Sequence, residues 1–352
     1  MWRVLWPVTE LQSQGYPVFW EWSDNPKVPD IVSAFDMIVY PRQAWLDEDV
    51  AREFVSTAHK YGKLIVGEYD DDVWYFREDQ KDSEELGFEK TEATPEQNRS
   101  SLQVMDGATL STHRLEMTVK QFAPEFPTRV IGNYINLDWW EMTSRDWPRQ
   151  LPEEELTIGW AGGDRYDRDI ESLAEAWHII AEKYTDVSFV IQGYQPKILS
   201  GAVPEDRLYN IEFLPIASDD KPSYPVGLKN IDIGCASVAE TMFNASKTRI
   251  KLWEYAASGA ACIGSSWLYG PGIVHGTDGL IANTVDEWVS ALSFMIEKPK
   301  KRKAMARKML SKVRTHNTIQ DNAWRWVKAW QEIYDVNKWK LTNRVMIPGV
   351  DG

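Results

Sequence analysis

Cysteine is scarce in this chain. There are two among 352 residues, Cys235 and Cys262, both in apolar surroundings. That excludes a disulfide framework and fits a reducing compartment. No run approaches the roughly 20 apolar residues that a membrane span requires. Met1-Trp2-Arg3-Val4-Leu5-Trp6-Pro7 is too short an apolar run for a signal peptide, and no small-residue cleavage site follows it. The expectation is a cytoplasmic protein with no stable membrane insertion. An excess of positive charge is also missing: 39 Lys and Arg stand against 53 Asp and Glu, for a formal charge of −14. Such a field disfavours general binding to nucleic acid or anionic lipid, although a local basic cleft is compatible with it. Five histidines (His59, His113, His178, His275 and His316) show no metal-ligand spacing. No Gly-Lys-Ser/Thr phosphate loop, internal repeat or low-complexity tract is present.

What is there suffices for two cores, since 43 % of the residues are apolar. In the first half, residues 3–6 and 35–40 read as strands, the second stopped by Pro41. Residues 47–61 read as a helix with Val50, Phe54, Ala58 and Tyr61 on one face, and Gly62 ends it before a strand at 63–67. Residues 77–98 are polar and read as a loop. Strands at 108–110 and 129–131 follow, the latter leading into Gly132-Asn133-Tyr134-Ile135-Asn136. Residues 141–155 hold Pro148, Pro152 and a run of three glutamates, and read as a linker between domains at 1–145 and 146–334.

The second half repeats the alternation. Strands are expected at 156–161, 188–191, 210–216, 231–235, 260–263 and 279–282. The first is followed by a helical stripe of Ile170, Leu173, Ala174, Trp177 and Ala181. A helix at 248–258 ends at Gly259, and three more helices close the chain. Alternating strands and helices predict parallel sheets covered on both faces, with ligands at the C-terminal strand ends. Of the 18 tryptophans, Trp45, Trp74, Trp139 and Trp140 fall near expected loops. Packing is their first reading and stacking on a sugar or base the second.

The segment most suggestive of chemistry is 243–259. Lys247, Lys251 and Glu254 fall at i, i+4 and i+7, one face of a helix that Ser246 would cap. A helix N-terminus and two lysines suit a diphosphate, and Glu254 one turn on suits the vicinal hydroxyls of a ribose. An exposed helix with an i,i+3 ion pair accounts for the same spacing. Asp70-Asp71-Asp72 offers hard oxygen ligands for Mg²⁺ or Mn²⁺, or is a solvated strand end. The basic run Lys298, Lys300, Lys301, Arg302 and Lys303 reads as a solvated helix start, with phosphate contact as the alternative. His113 reads first as structural and second as facing a cleft.

Here the chain resembles a family. Asn244-x-x-Lys247-x-x-x-Lys251-x-x-Glu254-Tyr255-Ala256-Ala257-x-Gly259 is similar to the donor-binding helix of GT-B glycosyltransferases, in particular the large retaining group called family 4 (glycosyl transferases group 1). Ile158-Gly159-Trp160-Ala161-Gly162-Gly163, with Asp169 beyond, resembles that group's first C-domain strand and turn. Tyr69-Asp70-Asp71-Asp72-Val73-Trp74 resembles an acidic stretch of bacterial and phage members, and Met105-Asp106-Gly107-Ala108-Thr109-Leu110-Ser111-Thr112 and residues 132–136 match a boundary strand and the hinge. The resemblance spans most of the chain and is more specific in its C-terminal half.

It implies the GT-B fold: two Rossmann-like domains with parallel sheets facing across a cleft, with residues 335–352 returning to the N-terminal acceptor domain. In particular, Trp324, Val327 and Trp330 of the last helix would pack toward that domain. It implies transfer of a sugar from a nucleotide diphosphate sugar, the co-substrate, to an acceptor hydroxyl, with retention and with neither metal nor resident cofactor. Residue by residue, Glu254 would bind the ribose, and Lys247 and Lys251 would neutralise the diphosphate. The backbone of Gly162 and Gly163 would approach the phosphates, Arg165 or Arg168 would add a cation, Asn244 would belong to the donor site, and Asp72 would lie near the acceptor hydroxyl. The acceptor would be a glycan, a protein or a hydroxylated base in phage DNA; for a phage-encoded enzyme the compartment is the host cytoplasm. The chain also departs from the pattern. Many members carry a Glu, seven residues and then a second Glu; here the first of those positions is Ser246, and residues 164–168 offer two arginines and no lysine. These departures keep two alternatives open: an inactive nucleotide-sugar-binding module, and a metal-dependent transferase using Asp70 and Asp72.

Overall fold

The computed structural model describes residues 3–20, 34–41, 48–74, 95–146, 149–163, 167–211 and 224–344. The chain forms two compact units. Unit 1 is Met1–Asn133, Thr241–Thr248 and Asn322–Gly352; unit 2 is Tyr134–Glu240 and Arg249–Asp321.

Unit 1 is built on a four-stranded parallel sheet of β1 (Met37–Pro41), β2 (Leu64–Tyr69), β3 (Gly107–Leu110) and β4 (Thr128–Val130), in that spatial order. Pro41 ends the edge strand β1, where a missing N–H is tolerated. β2 is buried along its whole length, as an inner parallel strand covered on both faces must be. Val55 and Ala58 of the Glu48–Lys60 helix pack with Ile65, Leu110, Leu115 and Val119 in the core. Gly62 turns the chain from that helix into β2 at φ +67°, a conformation that favours glycine.

Residues 3–6, expected as a strand, instead lead into the helix Leu5–Ser13. Pro7 stands third in it, where a backbone N–H would have no intrahelical acceptor, so the proline costs the helix nothing. Trp6, Val8 and Leu11 are its buried face. Arg3, ahead of it, reaches the buried Glu68 carboxylate through its guanidinium and lies 5.1 Å from the ring of Trp326. Thr109 donates to the same carboxylate at 2.5 Å. Burial pushes the Glu68 carboxyl upward, and Arg3 and Thr109 oppose that shift.

Trp326 belongs to the last helix, Trp324–Arg344, whose Asn337 donates to the Asp106 carbonyl at 2.9 Å within unit 1. The return to unit 1 thus begins at Asn322 rather than at 335. Its buried anchors are Trp326, Ala329 and Ile333, whereas Trp324 is largely exposed.

Unit 2 holds a six-stranded, wholly parallel sheet of β5 (Leu156–Gly162), β6 (Val187–Gly193), β7 (Leu208–Ile211), β8 (Ile233–Ala236), β9 (Ala261–Gly264) and β10 (Leu280–Ile281). The spatial order is β10-β9-β8-β5-β6-β7. The expected stripe Ile170, Leu173, Ala174, Trp177 and Ala181 lies on the Asp167–Lys183 helix and is buried against Phe189, Ile191 and Trp288.

The chain enters unit 2 at Tyr134, ahead of the stretch expected as a linker. Residues Leu137–Asp146 are a helix there, started by Asn136, whose side-chain oxygen accepts the Trp139 N–H at 3.1 Å. Most of the loop expected at 77–98 lies outside the described residues, and Pro95–Gln103 is helical. Trp45 and the end of the strand expected at 210–216 also lie outside them. No helix among the described residues is long and apolar enough to cross a membrane.

Candidate functional site

The segment after β8 does not form one helix. Thr241 caps a four-residue turn, Met242–Ala245, by accepting the Asn244 N–H at 3.1 Å, and a second helix runs from Ile250 to Ala257. Ser246, expected as an N-cap, is instead the C-cap of the first turn. Arg249 precedes the second helix and makes no side-chain cap bond. Lys247 therefore stands three residues ahead of the helix that carries Lys251 and Glu254, and the three do not share one helical face. The break also separates them by unit: residues 241–248 pack in unit 1 and residues from 249 in unit 2.

In unit 2, the Ile250–Ala257 helix is held in register by Tyr255. Its hydroxyl donates to the Cys235 carbonyl at 3.2 Å and accepts the Ala161 N–H at 3.0 Å, tying the helix to β8 and β5. Gly234 makes room for this ring: a Cβ there would lie 2.5 Å from it. Glu254, one residue earlier, is 2 % exposed. Its Oε2 lies 3.0 Å from Lys251 Nζ and accepts the Tyr224 hydroxyl at 2.8 Å, and Lys251 Nζ donates to that hydroxyl at 2.8 Å. Burial, with Glu254 beside it, pushes the Tyr224 phenol well above its ordinary value, so it stays a proton donor. Tyr224 carries no motif and was not legible in the sequence; its position after residues 212–223 gives no periodicity.

Gly162 ends β5 and Gly163 follows it. A Cβ on Gly162 would strike the Trp160 ring at 2.6 Å, so packing alone accounts for that glycine. Gly163 is exposed, and a Cβ there would meet nothing within 4 Å. Arg168 is exposed in the first turn of the Asp167–Lys183 helix. Asp169 is buried and accepts the Ala239 N–H at 2.9 Å, while its carbonyl accepts the Ser237 hydroxyl at 2.6 Å. Arg165 lies outside the described residues.

In unit 1, the acidic run after β2 meets residues 241–248. Lys247 Nζ lies 2.9 Å from Asp71 Oδ1 and 4.3 Å from the Phe243 ring centre. Asp72 is 1 % exposed; its Oδ2 accepts hydroxyl protons from Ser246 at 3.1 Å and Thr118 at 3.0 Å, and its Oδ1 accepts the Trp74 N–H at 3.3 Å. Thr112 donates to the Ser246 carbonyl at 2.8 Å, and Asn133 to the Thr248 hydroxyl at 3.1 Å. Asn244 is buried in the same segment.

These contacts make Asp72 an anchor rather than an exposed ligand. Among the described residues no group of three or more His, Cys, Asp or Glu is arranged to hold a metal ion. His113 is exposed and 3.3 Å from Glu116. Trp74 is core, packed at a tilt between Tyr69 and Phe122, and Trp140 is buried with its ring edge-on to Tyr224.

Residues 155–298 match the family described as glycosyl transferases group 1. No curated protein sequence matches the chain. Among solved structures, sucrose-phosphate synthase from Thermosynechococcus elongatus superposes with a TM-score of 0.63 at 12 % identity, over 92 % of this chain and 82 % of the other. HepE from Anabaena, solved in complex with UDP-glucose, gives 0.59 at 13 % identity, over 94 % and 88 %. A UDP-forming α,α-trehalose-phosphate synthase from Burkholderia xenovorans gives 0.58 at 12 % identity, over 93 % and 83 %. With its two parallel sheets the chain has the GT-B fold, and its residues 155–298 carry a glycosyltransferase domain matching group 1.

Proposed function

We propose that the protein moves a glycosyl group from a nucleotide diphosphate sugar to an acceptor hydroxyl, with retention of configuration and without a metal. The observation that carries this is the Lys251–Glu254 pair on the Ile250–Ala257 helix, within the matched region. A buried carboxylate beside an ammonium offers a hydroxyl acceptor and a phosphate-binding cation one turn apart. Lys251 would stabilise the negative charge that develops on the departing diphosphate. Gly163, with open space where a side chain would stand, would bring its backbone N–H to the phosphates, with Gly162 before it. Arg168 and Arg165 would add positive charge. The roles implied for Asn244, Lys247 and Asp72 belong to the same proposal and are tested separately.

A uridine nucleotide is favoured by the similar structure HepE, which was solved with UDP and with UDP-glucose. For the acceptor, the charge of −14 favours a glycan or protein hydroxyl over a DNA base. Metal independence is supported by the donors that surround Asp72, which direct hydroxyl and amide protons at its oxygens.

The test is release of nucleoside diphosphate from UDP-, GDP-, ADP- and TDP-sugars with acceptors supplied and EDTA present. Release from one donor is expected. Release that requires added Mg²⁺ or Mn²⁺ would remove the metal-independent reading, and donor binding without release or transfer would favour a binding module.

A further inference from the structure

We propose that Tyr224 is a positioning residue that aims the Glu254 carboxylate at the sugar hydroxyls of a bound nucleotide, an inference that rests on the donor-site reading above. Tyr224 opens the short helix Tyr224–Leu228, all of it buried. Its hydroxyl stands between the two charged groups of the Ile250–Ala257 helix, donating to Glu254 Oε2 and accepting from Lys251 Nζ, each at 2.8 Å. Lys251 also approaches Oε2, at 3.0 Å, so both contacts fall on one carboxylate oxygen. Among the described residues none binds Oε1. The carboxylate is thus fixed by one oxygen, and the other keeps its lone pairs for a ligand.

Without the phenol, Oε2 would keep only Lys251 as a partner, and the two side chains would be free to turn together as an ordinary i,i+3 pair. That would swing Oε1 off the direction of a ligand and loosen the ammonium. A hydroxyl that accepts from Lys251 and donates to Glu254 adds a third point and fixes both directions. The Tyr224 ring is itself held by Trp140, edge-on at 6.4 Å between ring centres. The Trp140 indole N–H donates to Ser258 at 2.9 Å, at the C-cap of the same helix. The chain Ser258–Trp140–Tyr224–Glu254 therefore closes a loop within unit 2 around the candidate donor helix. A residue that merely filled space would not need a hydroxyl at this point.

The experiment compares binding of ribonucleoside diphosphates (UDP, GDP, ADP) with their 2′,3′-dideoxy forms by calorimetry, for wild type, Glu254→Gln, Tyr224→Phe and Trp140→Phe. The quantity read is the ratio of the two dissociation constants. For the nucleotide that wild type binds, a ribose preference on the order of tenfold is expected, the value of one hydrogen bond to a charged group. Glu254→Gln should reduce it, and Tyr224→Phe should reduce it similarly although Glu254 is intact. Trp140→Phe keeps the phenol but loosens the ring that carries it; it should lower the melting temperature and reduce the ratio less than Tyr224→Phe does, which separates loosening of the fold from loss of the hydroxyl. A Tyr224→Phe protein that keeps the wild-type ratio, while Glu254→Gln loses it, overturns this inference and leaves the donor site standing. A wild type with no ribose preference overturns the reading of Glu254 and this inference with it.

Discussion

Ser246 donates its hydroxyl to the buried Asp72 carboxylate at 3.1 Å, beside Thr118 at 3.0 Å on the same oxygen. Many family 4 enzymes are expected to carry a glutamate at the position of Ser246, and this contact gives a physical reason for its absence. A second carboxylate beside Asp72 would place two like charges in a buried site. Ser246→Ala should lower unfolding stability by about 1–3 kcal/mol, the usual cost of removing a hydrogen bond to a buried charged group. Ser246→Glu should destabilise more than Ser246→Ala, and the difference should shrink at acid pH as one carboxyl protonates. Denaturant titrations at pH 7 and pH 5 check both statements.

Lys247 and Asp71 form a half-buried pair, so the contribution of the pair to stability is small, about 1 kcal/mol or less. Asp71→Asn should leave the unfolding midpoint nearly unchanged. If Lys247 also neutralises the leaving diphosphate, Lys247→Ala should lower kcat about tenfold or more with a smaller change in the donor KM. Steady-state release assays on both variants separate a structural pair from a working cation.

Both cysteines are fully buried and unpaired with each other. Burial pushes the Cys235 thiol up to about 12 and raises Cys262 as well. A raised thiol pKa favours the folded state at pH values below the ordinary thiol value of about 8.5, and that contribution is lost as pH rises from there toward 12. The native protein should therefore give no reaction with an aromatic disulfide reagent at pH 8 and two equivalents in denaturant. Its stability should decline above about pH 8.5.

The Val285–Glu297 helix of unit 2 begins with a capping box: Thr284 accepts the Glu287 N–H, and Glu287 accepts the Thr284 N–H at 3.1 Å and the Asn283 N–H at 2.8 Å. Those backbone bonds, Thr284 first, hold the Glu287 carboxyl below the usual range. Its stabilisation is present above the ordinary value of about 4.3 and is lost as pH falls through the lowered folded value. Thr284→Ala should cost about 1 kcal/mol at neutral pH. Thermal unfolding at pH 7 and pH 3 checks it: the cost of Thr284→Ala should be similar at both, since it leaves the backbone donors to Glu287 in place, whereas the cost of Glu287→Ala should narrow at the lower pH.

Most strands and helices were legible because apolar patterning survives in short windows, as in β2 and the Ile170–Ala181 stripe, whereas the spatial order of the strands was not. The start of the chain was not: residues 3–6 look like a strand, and Pro7 counts against a helix until its place in the first turn is known. The break between Lys247 and Lys251 was hidden for a related reason. A run at i, i+4 and i+7 fits one helix, whereas the Thr241 cap and the pull of Asp71 and Asp72 on Ser246 and Lys247 are tertiary facts. Tyr224 was invisible because its function depends on two residues about 30 positions away.

The most direct test of the donor-site claim is hydrogen exchange followed by mass spectrometry, on wild-type protein alone and with saturating UDP-, GDP-, ADP- or TDP-sugar. Added protection in peptides covering 156–163 and 250–257 with at least one donor, absent in Glu254→Ala, is the result this account predicts. Protection confined to other peptides, or the same protection in Glu254→Ala as in wild type, would contradict it.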